Sequence, residues 1–189
     1  MIDPKNWMDG GWMQTFTGRM FDPSNPQQDQ INILDIAHGL SLTCRYGGQS
    51  NKFYSVAEHC VRLAQYGLGP AGLLGSERIA LAKDLLMHDA AEAYVGDMPY
   101  PVKQHLNGFK ALEDRLDGVI RQVFGHKPHP LTKELDRRIA LDEMAELMPP
   151  LAPDVVHPMK PLGLNGFGWS AENAEYQFIG LYRRLFNGA

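Results

Sequence analysis

Cysteine is scarce in this chain. Only Cys44 and Cys60 occur among 189 residues, and neither stands in a CxxC pair, which argues against a disulfide framework and points to two buried thiols. Long apolar runs are missing too: none approaches the ~20 residues a membrane span requires. The start, Met1-Ile2-Asp3-Pro4-Lys5, lacks the basic opening and apolar stretch of a secretory signal. The expectation is a cytoplasmic protein with no membrane partner. An excess of positive charge is also absent. Eighteen Lys and Arg against 22 Asp and Glu leave a net charge of −4, which disfavours a nucleic-acid polymer as partner. A local basic pocket for one phosphate group is still compatible with that balance.

What is present suits one soluble domain with a sizeable core: 44% hydrophobic and 21% charged residues. We expect a single domain over residues 1–189, with 1–30 as an N-terminal extension and 31–189 as a helical core. In the extension, Trp12-Met13-Gln14-Thr15-Phe16, then Thr17-Gly18, then Arg19-Met20-Phe21 reads as a short β-hairpin with glycine in its turn. From Ile33 the pattern is helical. Helices are expected at 35–45, from a Ser55 cap to Tyr66, from a Ser76 cap to about Tyr94, over 102–106, and at 109–124, 132–148 and 171–186. Ser55-Val56-Ala57-Glu58 has the form of a capping box. The fold class is therefore all-α, a helical bundle with a small N-terminal hairpin.

The chemistry lies where the core should be apolar. On the helix from Ser76, Leu81, Leu85, His88 and Glu92 form one stripe, and Ile79, Ala82, Leu86, Asp89 and Ala93 the next. An apolar face thus ends in a histidine and two carboxylates. Burying an ionised acid without a partner costs several kcal/mol. A divalent cation satisfies several such groups at once. His59 shares the inner side of its helix with Val56 and Leu63, and Asp142 shares a face with Leu135 and Ile139. A lone histidine on an apolar face is more often a satisfied core residue than a ligand. By periodicity alone, a metal centre and an ordinary buried cluster are equal readings.

Three segments together carry a resemblance: Tyr54-Ser55-Val56-Ala57-Glu58-His59, Leu86-Met87-His88-Asp89-Ala90-Ala91-Glu92, and Gly96-Asp97-Met98-Pro99-Tyr100-Pro101-Val102-Lys103. They resemble the HD-domain metal-dependent phosphohydrolases, in particular small bacterial 5′-deoxynucleotidases and phage-type deoxynucleoside triphosphate hydrolases. The resemblance covers roughly residues 31–146. It implies His59, His88, Asp89 and Asp142 as metal ligands. Asp142 is chosen over the nearby Asp136 and Glu143 on the segment Arg138-Ile139-Ala140-Leu141-Asp142-Glu143. It implies Glu92 as the residue handling the proton of the attacking water, and Asp97 near the leaving oxygen or sugar. Arg45-Tyr46 resembles an Arg-aromatic pair for phosphate and base, with a surface ion pair and simple packing as the plain alternatives. Lys103 is equally a second phosphate cation or an ordinary exposed helix lysine.

The mixed nitrogen and oxygen shell suits Mn, Co, Ni, Fe or Zn, and admits Mg as a second, substrate-carried ion. The expected reaction is hydrolysis of a small-molecule deoxynucleotide. A triphosphohydrolase on dNTPs (dATP-like) is favoured, a 5′-deoxynucleotidase on dNMPs is the alternative, and a non-catalytic nucleotide-binding module is a third reading. His38 is expected to be structural or to support the site; His105, His126, His129 and His157 lack ligand-like spacing, and Trp7, Trp12 and Trp169 read as packing residues. The apolar C-terminal helix, with Tyr176, Phe178, Ile179, Leu181, Tyr182 and Leu185, should close the core, with a homo-oligomer face as the alternative.

Overall fold

The computed structural model describes residues 11–150 and 158–188; Trp7 and His157 therefore lie outside the described residues. Two short strands, β1 (Met13–Gln14) and β2 (Met20–Phe21), pair antiparallel with Met13 opposite Phe21. Gly18 turns the hairpin at a positive φ of 82°, a conformation a Cβ disfavours. Among the described residues eight α-helices follow: α1 (Ile33–Leu42), α2 (Val56–Leu68), α3 (Gly75–Met87), α4 (Glu92–Val95), α5 (Tyr100–Lys103), α6 (Phe109–Phe124), α7 (Thr132–Leu147) and α8 (Ala171–Phe186). The all-α class and the small hairpin are as the sequence indicates.

Local chemistry explains most boundaries. Asn32 caps α1 by accepting the Leu34 N–H, and Ser170 caps α8 by accepting that of Asn173. Ser55 caps α2 through the Glu58 N–H at 3.1 Å. Glu58 does not close the expected reciprocal box, because its carboxylate serves Arg62 and the backbone of Gly168 and Trp169 instead. Helix α1 ends three residues before the expected 45, where Cys44 forms a bridge with Ser55 and the chain turns extended. The predicted long helix from Ser76 is in fact two: Leu74 is the cap, α3 stops at Met87, and a turn at 88–91 leads into α4.

Helices α2 and α3 form the central pair, and α8 packs across α1, α2 and α3. Gly67 allows the pair to close: a Cβ there would stand 2.8 Å from a Leu85 methyl. Leu63, Leu81, Leu85, Ile120 and Phe178 are fully buried, each such side chain contributing roughly 1.5–3 kcal/mol by its removal from water. α8 thus closes the core, as expected. The hairpin is latched to α1, since Thr17 donates its N–H and hydroxyl to Asp35 at 2.6 and 2.9 Å. Phe16 stacks on His38 at 3.7 Å, His38 in turn meets Glu175 of α8 at 3.0 Å, and Phe21 stacks on Tyr94 of α4 at 4.2 Å. His38 is therefore a fold contact. Among the described residues, no helix is long and apolar enough to cross a membrane.

Candidate metal centre

Four segments meet beside the central pair. His59 sits in the first turns of α2, His88 and Asp89 on the turn after α3, Asp136 on α7, and Arg45 on a 3-10 turn spanning Arg45–Gly48. The Nε2 atoms of His59 and His88 face each other at 3.4 Å. An Asp89 oxygen lies 3.7 Å from the first and 3.2 Å from the second. An Asp136 oxygen lies 3.2 and 3.8 Å from the same two nitrogens. His59, His88 and Asp89 each offer a ligand atom within 4.8 Å of the others.

The outer ring nitrogens are held elsewhere, which orients both imidazoles. His88 Nδ1 donates to the Leu85 carbonyl at 2.9 Å. His59 Nδ1 meets Glu143 at 2.6 Å. A neutral ring with its proton fixed on Nδ1 presents its Nε2 lone pair inward, the arrangement metal-binding histidines adopt. Two Nε2 lone pairs and an Asp89 carboxylate close enough to share one ion, with Asp136 beside both nitrogens, fit a divalent cation with a mixed nitrogen and oxygen shell. The neighbouring carboxylates raise the pKa of both rings. Burial and the Arg45 charge oppose a proton on His59, but Glu143 and Asp136 prevail and its pKa is raised; on His88, Asp89 prevails over burial.

Glu143 is the hub beneath the cluster. It is fully buried and accepts from Tyr54 at 2.7 Å, from the Tyr46 hydroxyl, from His59, and from Arg45 at 3.3 Å. Burial pushes its carboxyl up, yet Arg45 and His59 outweigh that and hold it at about 2. Cys60, also fully buried, places its sulfur 4.0 Å from His88 Nδ1, and burial pushes the thiol up to about 11.

The structure corrects the choice of the late aspartate. Asp142 accepts the backbone N–H groups of Leu162 and Gly163 at 2.8 and 3.0 Å, tying down the strap before α8, while Asp136 stands at the histidines. Helical geometry explains this: seven residues make two turns to within roughly 20°, so Asp136 and Glu143 share a stripe, whereas a six-residue step points Asp142 elsewhere.

Arg45 and Tyr46 reach the cluster but face inward. The Arg45 guanidinium lies between Asp89 at 3.6 Å and Glu143 at 3.3 Å, as an internal counter-charge. Tyr46, with its backbone at φ 59°, commits its hydroxyl to Glu143. Lys103 is not the ordinary exposed lysine of the plain alternative: it bridges Glu92 at 3.3 Å and Glu113 at 2.7 Å. Glu92 is buried, and burial together with the charges of Asp89 and Asp97 raises its pKa well above the usual carboxylate range. Burial likewise raises Asp97, which feels the charges of Arg45, Asp89 and Lys103. A cavity of about 220 Å³ opens from His88, Asp89 and Glu92 toward α6.

Asp136, Glu143 and Tyr54 are the participants that sequence reasoning passed over. The seven-residue spacing of the two acids, on a stripe shared with the buried Ile139, was the available signal.

The comparisons agree with this geometry. The chain is 40% identical over 117 residues to an uncharacterized protein of Escherichia coli (strain K12), YfdR, and 38% identical over 122 residues to an uncharacterized protein of Rhodobacter capsulatus. Each alignment covers 62% of this chain and 60% of the relative, so the chain matches about three fifths of the length of these curated relatives. The model of the HD domain matches residues 43–146, a span that takes in His59, His88, Asp89 and Asp136 together. The chain belongs to the HD-domain phosphohydrolase superfamily.

Proposed function

We propose that this protein is a metal-dependent hydrolase of a phosphate ester or anhydride on a deoxynucleotide, with His59, His88, Asp89 and Asp136 as the metal ligands. The observation that carries the reading is the pair of Nε2 atoms at 3.4 Å, with each ring's Nδ1 already engaged and two carboxylates beside them. A cation bound there polarises a phosphate oxygen and lowers the pKa of water. The chain's own groups account for the remainder. Glu92, whose pKa is held high by burial and by Asp89 and Asp97, is suited to take and return a proton. Its reach is fixed by the 3.3 Å contact with Lys103. Arg45 keeps Asp89 and Glu143 ionised, and so preserves the orientation of His59. Asp97 acts on Glu92 through its charge, which helps favour the protonated form of the Glu92 carboxyl. The deoxynucleotide assignment is supported by the likeness of segments 54–59, 86–92 and 96–103 to deoxynucleotide hydrolases.

Paired alanine variants test the ligand set. Asp136→Ala is expected to lose bound Mn or Co and to reduce turnover more than about 100-fold. Asp142→Ala frees two backbone donors, and is expected to cost roughly 1–3 kcal/mol in stability with turnover retained. Metal content, unfolding midpoints and phosphate release across deoxynucleotides measure all three effects. A full metal complement in Asp136→Ala would remove the assignment.

A further inference from the structure

Helix α5 is placed by a charge rather than by apolar packing. None of its four residues is buried, and Tyr100 and Val102 stand exposed. Its last residue, Lys103, supplies the tie. The ammonium donates to Glu113 Oε1 of α6 at 2.7 Å and to Glu92 Oε1 of α4 at 3.3 Å. Phe109 and Glu113 lie one turn apart on α6 and so share a face. Together they seat the ammonium, which stands 5.8 Å from the centre of the Phe109 ring. The shorter contact is the one to α6, so Glu113 is the anchor and Glu92 the group held from it. With Lys103 on Oε1, the buried Glu92 keeps Oε2 without a partner among the described residues, and Glu92 lines the cavity together with His88 and Asp89. A buried carboxylate oxygen with unused acceptor capacity beside a cavity is available to water or a ligand there.

On the reading of the site given above, we infer that Glu113 is a positioning residue for the proton-handling Glu92, acting through Lys103. The contacts run in one direction. Glu113 fixes Lys103, Lys103 occupies one oxygen of Glu92, and the other oxygen is left to exchange a proton with water in the cavity. The segments that carry the family likeness, 54–59, 86–92 and 96–103, end before α6, so the role of Glu113 rests on these contacts. With glutamine at 113 the ammonium loses its charged anchor, α5 loses its tie, and the Glu92 carboxylate is free to turn. A misplacement of about 1 Å in a reacting group can cost roughly 100-fold in rate. Glu113 also lines the cavity, so direct contact with substrate is the competing role. The two differ in their effect on KM, and in whether the effect of Glu113 survives the loss of Lys103.

Two measurements on the full chain test this. The first is steady-state turnover of deoxynucleotides by the Mn-loaded parent, Glu113→Gln, Lys103→Met and the double variant. Glu113→Gln is expected to lower kcat at least about tenfold, with KM and bound Mn held within about twofold. Added to Lys103→Met, it is expected to change kcat by less than about twofold, because residues that act in one chain of contacts are not additive. An unchanged kcat, a raised KM, or losses that multiply in the double variant would overturn the proposal. The second measurement does not depend on activity. It follows the nitrogen–proton resonance of the Lys103 ammonium in diamagnetic Zn-loaded protein, identified by its absence in Lys103→Met. That resonance is expected to move in both Glu113→Gln and Glu92→Gln, and indifference to either change would mean that the three groups are not linked. If the parent releases no product from any deoxynucleotide, the hydrolase reading is the one that fails, and the resonance alone decides whether Glu113 holds Glu92 through Lys103.

Discussion

His126 shows how a single ring senses pH chiefly through burial. It is 5% exposed, neither ring nitrogen has a partner among the described residues, and Phe186 stands against it edge-on. Burial, aided by the Arg121 charge, lowers its pKa to about 4. The unfolded ring titrates near 6.5, so between these values the unfolded chain binds the extra proton. The stability given by the neutral ring is complete above pH ~6.5 and is lost as pH falls toward about 4, by up to about 3 kcal/mol. Denaturant unfolding at pH 7 and pH 4.5 is expected to show a smaller loss in His126→Phe than in the parent. An equal loss would mean the ring does not govern that window. Asp84 works in the opposite sense to an isolated buried acid: although burial raises its pKa, Thr132, Arg121 and the His129 N–H prevail and lower it.

Among the elements, the four-residue α4 is held by close contacts on two sides. A Cβ on Gly39 of α1 would lie 2.9 Å from the Ala93 carbonyl oxygen and 3.0 Å from the Ala93 Cβ. Phe21 holds the same turn through Tyr94. An Ala for Gly exchange inside a helix ordinarily gains up to about 1 kcal/mol. Here the backbone of α4 must move, so Gly39→Ala is expected to cost roughly 1–3 kcal/mol and to slow turnover by displacing Glu92, with metal content unchanged. A stabilised, fully active variant would show that α4 has freedom to shift. This contact also marks the limit of reading from sequence. Ser55 and the hairpin around Gly18 were legible because each depends on neighbours a few residues away, whereas His59, His88 and Asp89 were singled out by the likeness of their segments to a family. The division of α3 from α4 was not legible, because helical periodicity continues through residues 88–91 while the backbone does not. Asp136 escaped because α7 carries eight charged residues among its sixteen, so one acid does not stand out by type. Its partner Glu143 and the hydroxyls of Tyr46 and Tyr54 come together only in space.

At the level of the whole molecule, the centre draws on chain from Arg45 to Glu143, so its assembly reports on the integrity of most of the helical core. Any cation that binds the assembled centre and not the unfolded chain shifts the folding equilibrium toward the native state, by about 2.7 kcal/mol at a hundredfold excess over its dissociation constant. Cys60, sealed behind His88, turns this into a clock. Its sulfur can meet a thiol reagent only when the core opens, whereas the half-buried Cys44 does not need that event. Two labelling phases are therefore expected by mass spectrometry, and chelation should quicken the slow one while leaving the fast one nearly alone. Mn at a hundredfold excess should retard the slow phase by roughly 100-fold, the same factor by which it depletes the open state.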